Sequence, residues 1–547
     1  MRTLQIVFIL LLFLLLIISI CSGQEQPLTI AESSNFQSTS RYSDVLSFIK
    51  ELQKQSPLIR VENIAVTTEG RDIPMIILGD PPPSSPLALN NDERMVIYLQ
   101  GNIHAGEVEG KEGLQVLARE LVFNNKLKYL DRLVILIVPI FNADGNEKIS
   151  TENRKRQDGP VNGVGVRPNG QNLDLNRDGL KLETPEVRGM IKNVLNRWDP
   201  LVFLDSHTHN GSYHQEPVTF VWSLNPNGDT SLVHYAENSM YPEISNNLRI
   251  NYDVQSIPHG DFIDAKNPDK GWIPLGPQPR YLTNYIGLRN RIGILNENYP
   301  YADFETRVKG CYKLFRALLD FCYQHKDKIK WLLSNTDLKT IKRGLNPTYQ
   351  DQFAIEYDVR PIDQEITVQG WEMKVEEIPD RKWPKVIKTD IEKSYTMPFL
   401  AEYYPKRAVR LPHAYLFAGN MHEISDKLMA HGIVVEKLTD NAQLNVESFI
   451  IRSVKSDSSL NQGHYLTSLS GSYEKITKTF TEGTVIVTLD QPLANVVAYL
   501  LEPESDDGLL RWNFFDRYIT KQWSRRQLPF PVYKLYDSVN IAKTVLR

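Results

Sequence analysis

The chain has 547 residues, of which 41% are hydrophobic and 23% charged, and its formal net charge is −4. This composition is ordinary for globular proteins, and the length is sufficient for two or three domains, each with its own core. The balanced charge, without a long basic stretch, excludes an electrostatic basis for binding nucleic acid.

The first 23 residues are predicted to be a secretory signal peptide. Arg2 precedes an almost unbroken apolar run over residues 6–20, and small residues follow at 21–23, which is the order of a signal sequence and its cleavage site. The run is shorter than the ~20 residues that a spanning helix needs, so an uncleaved membrane anchor is the second choice. We therefore expect a secreted or periplasmic protein with no stable membrane span after signal cleavage. Residues 24–40 are polar and rich in serine, which predicts a flexible lead-in.

From residue 41 to residue 330 the chain alternates between helical and strand-like patterns. Four apolar residues near the start share one helical face: Val45, Phe48, Ile49 and Leu52. Six apolar segments have the length and composition of strands: 61–67, 73–78, 95–99, 133–139, 201–204 and 292–295. Buried strands that alternate with helices predict an α/β fold, with a mixed, mostly parallel sheet flanked by helices.

Residues 331–547 follow a different pattern. Proline, tyrosine and tryptophan are frequent over residues 345–405, between short strand-like pieces. A strand over 414–417, a helix over 423–430 and a strand over 433–437 then predict a β-α-β element. We therefore predict a C-terminal α+β accessory region, whose role the sequence leaves open.

Three of the predicted strands run into side chains that suit a metal site. In chain order, these side chains are His104 with Glu107, then His207, then Glu297. In open α/β sheets, binding sites form beyond the carboxyl ends of the strands. Imidazole nitrogens and carboxylate oxygens are zinc ligands, and a catalytic zinc keeps three protein ligands and one open position. The three strand ends together therefore predict a zinc site.

The spacing of His104 and Glu107 alone is a weak indication of a metal site. His234 and Glu237 repeat this spacing inside a predicted amphipathic helix, where we expect ordinary surface side chains. His209 is the fallback third ligand.

A zinc hydrolase also needs a carboxylate that moves protons and a cationic donor for the oxyanion that forms on the scissile carbonyl. Arg154 and Arg156 are candidates for the cationic donor, with a solvated basic loop as the alternative. Asn176 and Arg177 are suited to hold a carboxylate, because a guanidinium group donates two parallel hydrogen bonds to it.

The order of these motifs resembles that of the zinc carboxypeptidase family, the carboxypeptidase A-like metallopeptidases. Over about residues 40–325 the motifs are His104-Ala-Gly-Glu107, Asn142-Ala-Asp-Gly145, Asp174-Leu-Asn-Arg177, Pro185-Glu186, His207 and Glu297. The resemblance implies a zinc carboxypeptidase-like fold and one zinc ion per chain, with His104, Glu107 and His207 as its ligands.

The resemblance also implies roles for the remaining motif residues. Asp174 matches the carboxylate that orients the first histidine ligand, and Glu297 matches the general base. Asn176 and Arg177 match the residues that hold the terminal carboxylate of the substrate.

Two of the family's residues have more than one candidate here. The arginine that stabilises the oxyanion falls between the Asn-x-Asp-Gly and Asp-x-Asn-Arg motifs, where Arg154 is the first choice and Arg156 the second. The mobile tyrosine that contacts substrate is placed at Tyr285 or Tyr281.

These observations predict an exported zinc metallopeptidase that removes C-terminal residues from peptide or protein substrates, with Glu297 as the general base. The alternative is a zinc-dependent amidase, deacylase or cell-wall peptide hydrolase that uses the same residues. Departures from the family at Gly106 and Asp178 leave room for that alternative. A third hypothesis is a non-catalytic peptide-binding protein, which predicts loss of a ligand or of the base; neither is lost from the sequence.

Overall fold

A computed structural model describes residues 26–124, 127–209, 211–379, 385–521 and 527–546 of the chain. The predicted signal peptide therefore lies outside the described residues. Among the residues that are described, no helix is both long enough and apolar enough to cross a membrane.

Eight strands form one mixed sheet in the first part of the chain. From edge to edge they are Ile59–Val66, Asp72–Leu78, Leu133–Val138, Met95–Gly101, Val202–Thr208, Ile292–Asn298, Val218–Trp222 and Ser256–Pro258. The third to sixth strands in this order run parallel, whereas antiparallel pairs occur on both sides of them. These four strands are buried along their whole length, as expected when helices cover both faces of a sheet. The predicted α/β fold is confirmed.

Helices pack on both faces of this sheet. The helices of this part of the chain are Ile30–Ser33, Tyr42–Gln55, Glu109–Phe123, Ala143–Asn146, Pro185–Met190, Thr230–Tyr235, Tyr241–Asn251, Leu282–Leu288 and Phe304–Leu345. The strand Met95–Gly101 shows how two cores arise, because alternate residues of a strand point to opposite faces. Ile97 and Leu99 belong to one cluster of buried residues, and Val96 and Tyr98 belong to the other.

The helix Phe304–Leu345 continues beyond residue 330, where we predicted a domain boundary. Its buried face continues at Leu333, Thr336 and Thr340, and two of these three residues are threonines, which is why the apolar pattern fades in the sequence. The boundary is therefore corrected to the end of this helix. Below, residues 26–345 are called the N-terminal region and residues 346–546 the C-terminal region.

The prediction of a flexible lead-in is wrong for residues 26–40, because this segment packs against the rest of the protein. Thr29 caps the short helix Ile30–Ser33 through reciprocal hydrogen bonds with Glu32. Ser40 is fully buried, and its backbone N–H and hydroxyl donate to the Glu112 carboxylate at 2.7 and 2.9 Å. The polar composition of this segment therefore serves buried hydrogen bonds.

The C-terminal region contains a second sheet, of seven strands. In order across the sheet they are Thr467–Phe480, Ala442–Ser456, Tyr533–Leu535, Ala414–Phe417, Val485–Thr488, Glu436–Leu438 and Lys543–Val545. Two further pairs are Gln352–Arg360 with Glu402–Arg410, and Glu365–Glu376 with Lys385–Pro398. Helices of this region are His422–Ala430, Ala494–Leu501 and Asp516–Ile519. The predicted α+β composition is confirmed.

The two regions share one hydrophobic core. Tyr285 and Leu288 of the N-terminal region belong to the same cluster of buried residues as Val487 and Tyr499 of the C-terminal region. A hydrogen bond crosses the same boundary, because Asn225 Nδ2 donates to the Tyr499 hydroxyl at 2.8 Å. The C-terminal region is therefore packed directly onto the sheet domain.

Candidate active site

The three predicted metal ligands meet at the carboxyl edge of the parallel strands. His104 and Glu107 lie in the loop after the strand Met95–Gly101, and His207 lies within the strand Val202–Thr208. All three side chains are buried, and one ligand atom from each lies within 4.8 Å of the others. The chain thus brings together an imidazole pair and a carboxylate from two neighbouring strand ends.

The donor atoms of this cluster face one another. His104 Nδ1 lies 3.1 Å from His207 Nδ1 and 3.1 Å from Glu107 Oε1. His207 Nδ1 lies 2.9 Å from Glu107 Oε2. Two imidazole nitrogens and a carboxylate that converge in a buried space match the ligand set of a catalytic zinc ion.

A carboxylate lies behind each histidine. His104 Nε2 donates to Asp174 Oδ1 at 3.0 Å, and His207 Nε2 donates to Asp205 Oδ2 at 3.0 Å. Protons on the Nε2 atoms leave the Nδ1 lone pairs directed at a common centre, so the residues fit a zinc ion. Asp205 is not among the residues predicted from the sequence, although it stands two residues before His207 in the same strand, where alternate side chains share a face.

Glu297 is the carboxylate beside the ligand cluster. It lies opposite His207 in the register of the parallel strands Ile292–Asn298 and Val202–Thr208, and only 8% of it is exposed. Burial raises the pKa of the Glu297 carboxyl; the charge of His207 opposes this rise, and Glu107 adds to it. A carboxyl group with a raised pKa is a stronger base than an ordinary carboxylate, which suits a group that accepts and releases a proton.

The two arginines predicted as oxyanion donors are placed differently. Arg154 Nη1 donates to Glu107 Oε1 at 2.9 Å, and its Nη2 donates to the Thr208 carbonyl at 3.0 Å. Arg156 is exposed and lies near Tyr301, where its charge opposes the burial that raises the pKa of that tyrosine. Arg154 therefore holds a metal ligand in place, whereas Arg156 faces solvent.

A third arginine, Arg167, reaches the cluster from a position that is 42% exposed. Its Nε donates to Asp174 Oδ2 at 2.8 Å, and its Nη1 lies 3.7 Å from Glu107 Oε1. Burial lowers the pKa of Arg167, but the charges of Asp174, Glu107 and Glu297 outweigh burial and raise it. Arg167 is not among the residues predicted from the sequence, because it is a single basic residue and Arg154 and Arg156 belong to a denser basic run. Arg167 lies ten residues before Arg177, in the same interval between the Asn-x-Asp-Gly and Asp-x-Asn-Arg motifs where the oxyanion arginine is expected. This position is the signal in the sequence that could have indicated it.

Asn176 and Arg177 lie beside the histidine ligands. Asn176 Oδ1 accepts a hydrogen bond from the Leu282 backbone N–H at 2.9 Å, and its Nδ2 lies 3.4 Å from His207 Nε2. The Arg177 guanidinium lies over the Tyr281 ring, 4.5 Å from its centroid, and 25% of the side chain is exposed. Asn176 therefore ties two loops together, while Arg177 retains a surface open to a ligand.

Residues 45–213 match the family model of zinc carboxypeptidases. The matched span contains the three candidate ligands together with Asp174 and Arg177. This span is thus similar to a zinc carboxypeptidase domain. Carboxypeptidase 2 of Trichophyton rubrum is 23% identical to the chain over 487 residues, which cover 82% of this chain and 80% of that protein.

Two other proteins extend the comparison. An inactive metallocarboxypeptidase of Saccharomyces cerevisiae is 32% identical over 118 residues, which cover 19% of this chain and 26% of that protein. The crystal structure of a metallo-carboxypeptidase from Burkholderia cenocepacia is 18% identical, with a TM-score of 0.39, and covers 52% of this chain and 69% of its own. The family model and the carboxypeptidase 2 relatives both support similarity to zinc-dependent metallocarboxypeptidases.

The prediction that Tyr285 contacts substrate is wrong. Tyr285 is fully buried, and its hydroxyl lies 2.7 Å from His431 Nδ1, in the core shared with the C-terminal region. The helix Leu282–Leu288 turns this tyrosine inward, whereas Tyr281, the residue that precedes the helix, stacks on Arg177. Tyr281 is the tyrosine of this pair that lies beside the site.

The histidines outside the ligand cluster have other surroundings. His234, in the repeated His-x-x-Glu spacing, is exposed on the helix Thr230–Tyr235, as predicted. His209 Nε2 lies 3.2 Å from Asp261 Oδ1. The ligand atoms that converge belong to His207, so the fallback ligand is not needed.

Proposed function

We propose that this protein is an exported metallocarboxypeptidase that removes C-terminal residues from peptides or proteins, with one zinc ion bound by His104, Glu107 and His207. The observation that carries the proposal is the convergence of these three ligand atoms, with a carboxylate behind each histidine. The matched family supports the choice of zinc, and the carboxypeptidase 2 relatives support the choice of reaction. Export rests on the signal-like composition of residues 1–23.

Glu297 is the general base of the proposed reaction. A bound zinc ion supplies a Lewis acid and lowers the pKa of water. Glu297 takes the proton of the attacking water and passes it to the departing nitrogen. Its place beside His207 in the strand register and its raised pKa support this role. Asp174 and Asp205 hold the histidines in the tautomer that presents Nδ1.

Arg167, in place of Arg154 or Arg156, is the proposed donor to the oxyanion. Its half-exposed guanidinium lies between Asp174 and Glu107, so it can donate to a substrate oxygen beside the ligand cluster. Arg154 then has a different task, which is to orient the Glu107 carboxylate through its 2.9 Å hydrogen bond.

Arg177 is the proposed contact for the terminal carboxylate, and Arg167 lies beside it. Both guanidinium groups approach the same oxygen, Asp174 Oδ2, at 3.8 and 2.8 Å. A guanidinium group has five N–H donors, and the contact with Asp174 uses only part of those of Arg177, so Arg177 can also donate to a carboxylate of the substrate. A neutral amide or acyl substrate has no carboxylate to accept these hydrogen bonds, so the arrangement favours a carboxypeptidase.

Replacement of His104 by alanine is expected to abolish stoichiometric zinc binding, because it removes one of three ligands. His234→Ala changes an exposed histidine of the same sequence spacing outside the cluster, and this variant is expected to keep one zinc ion per chain. Elemental mass spectrometry of the purified variants measures the difference. Equal zinc content in both would contradict the ligand assignment, and full zinc content in His207→Ala would point to His209.

A peptide with a free C-terminal carboxylate is expected to be cleaved at least ~10-fold more efficiently, in kcat/KM, than its C-terminally amidated form. A charge-assisted hydrogen bond contributes about 1.5–3 kcal/mol, and about 1.4 kcal/mol corresponds to a tenfold change in rate. Mass spectrometry of the products, with and without a chelator, identifies both the bond that is cleaved and its metal dependence.

The control for this experiment is Arg177→Ala. It should reproduce most of the loss on the free-acid peptide and have little effect on the amide. Equal cleavage of acid and amide peptides would indicate an amidase or an endopeptidase, and release of N-terminal residues would indicate an aminopeptidase.

A further inference from the structure

A turn of the C-terminal region reaches the candidate active site. Asn461 and His464 exchange backbone hydrogen bonds of 2.8 and 2.9 Å, which places Gln462 and Gly463 at the tip of the turn. Gln462 has a φ of +49°, a conformation that side-chain-bearing residues rarely adopt and that tends to occur at functional positions. The Gln462 Oε1 atom accepts a hydrogen bond from the Asp174 backbone N–H at 2.7 Å.

The turn is held rigidly against the N-terminal region. His464 Nε2 lies 3.0 Å from both carboxylate oxygens of Glu183, and its Nδ1 lies 3.0 Å from Asn513 Oδ1. Glu183 in turn forms an ion pair of 2.9 Å with the buried Lys181. The position of Gln462 is therefore set by contacts on both sides of the boundary between the regions.

Asp174, the residue that Gln462 holds, connects the metal ligands to the arginines. Its Oδ1 accepts from His104 Nε2, and its Oδ2 accepts from Arg167 Nε. Because both oxygens belong to one side chain, a shift of the Asp174 backbone displaces both hydrogen bonds, and with them the side chains of His104 and Arg167. The hydrogen bond that the Asp174 N–H group donates to Gln462 Oε1 fixes this backbone.

A second contact from the C-terminal region acts on the neighbouring loop. Asp507 is fully buried, and its Oδ2 accepts a hydrogen bond from the Arg280 backbone N–H at 2.6 Å. Its Oδ1 lies 3.0 Å from Arg280 Nε and accepts from Trp512 Nε1 at 2.9 Å. The next residue, Tyr281, carries the Arg177 guanidinium on its ring. Asp507 therefore fixes the loop that carries Tyr281, against whose ring the Arg177 guanidinium stacks.

We propose that the C-terminal region is a positioning element of the active site: Gln462 fixes Asp174, and Asp507 fixes Arg280 and Tyr281. Together they set the orientation of His104, Arg167 and Arg177. The effect on Arg167 and Arg177 rests on the proposed carboxypeptidase function, whereas the effect on His104 concerns metal binding alone. Gln462 and Asp507 are thus positioning residues, which act through side chains of the N-terminal region.

Zinc affinity and substrate preference of Gln462 variants test this inference. Gln462→Met keeps the size of the side chain but removes the acceptor, and Gln462→Gly removes the side chain at a backbone conformation that glycine adopts freely. Gln443→Met, at an exposed position of the strand Ala442–Ser456, is the matched control. Competition with a chromophoric chelator measures zinc affinity, and kcat and KM on acid and amide peptides measure preference.

Both Gln462 variants are expected to bind zinc about 3- to 10-fold more weakly than Gln443→Met. Loss of a group that orients a metal ligand directly usually weakens metal binding about 10- to 100-fold, and Gln462 acts one step further away, through Asp174. KM for the free-acid peptide should rise more than kcat falls, while the melting temperature stays at that of the control. Asp507→Asn should lower the acid-to-amide ratio and leave zinc affinity unchanged, since its contacts lead to Arg177 and not to His104.

Unchanged zinc affinity and an unchanged acid-to-amide ratio in both Gln462 variants would overturn the inference. If the unaltered protein itself shows no preference for the free acid, the proposed carboxypeptidase function fails. The difference in zinc affinity between Gln462→Met and Gln443→Met then still decides whether the turn positions Asp174.

Discussion

Glu297→Gln is expected to bind zinc normally and to lose at least ~100-fold in turnover, the scale usual for a general acid–base group. The amide has the shape of the carboxylate but cannot take up the proton of the attacking water. Glu297 is buried opposite His207, so bulk water does not readily take over the proton transfer. Chromatographic assay of released C-terminal residues and elemental analysis of zinc measure the two quantities.

The matched control is Glu305→Gln. This carboxylate comes eight residues later, at the start of the long helix, where it is 48% exposed and paired with Lys309. It should retain the turnover of the unaltered protein. Near-normal turnover in Glu297→Gln would move the role of the base to another group.

Arg167→Ala is expected to lower kcat by about 100- to 1,000-fold, as for removal of one donor to an oxyanion. The reason is that its guanidinium lies 3.7 Å from Glu107 and is half exposed, so it can reach a substrate oxygen beside the metal ligands. Arg156→Ala, at an exposed position of the preceding loop, is the control and should change kcat little. Steady-state kinetics on a free-acid peptide measure both.

Arg154→Ala separates the two arginine roles. If Arg154 orients Glu107 as its 2.9 Å hydrogen bond suggests, this variant should bind zinc more weakly. Normal zinc binding with a large loss of kcat in Arg154→Ala, together with normal kcat in Arg167→Ala, would return the oxyanion role to Arg154.

The parts of the fold that the sequence predicts well are those in which local pattern and burial agree. The four parallel strands are continuous apolar segments, because a strand covered on both faces has no polar side. The ends of these strands can therefore be located in the sequence, and His104, Glu107 and His207 are found at them. Motif order then placed Asp174 and Arg177 near them.

The errors occur where long-range packing decides. Tyr281 and Tyr285 are one helical turn apart, and the hydroxyl of the buried one, Tyr285, meets His431 of the C-terminal region, a contact that no local pattern indicates. The lead-in is polar in composition, yet the Ser40 hydroxyl donates a hydrogen bond to the buried Glu112, which lies on a helix far along the chain. Arg167 was missed for a related reason, since a single basic residue in a loop carries no local pattern.

The core shared by the two regions implies that the stability of one region depends on the other. Tyr285 and Leu288 lose their apolar neighbours if the strand of Val487 and the helix of Tyr499 leave, and each Å² of apolar surface then exposed to water costs roughly 25 cal/mol. Loosening of the C-terminal sheet therefore disturbs the chain around the metal ligands at the same time. Inactivation by heat or denaturant should then accompany the loss of tertiary structure in the C-terminal region.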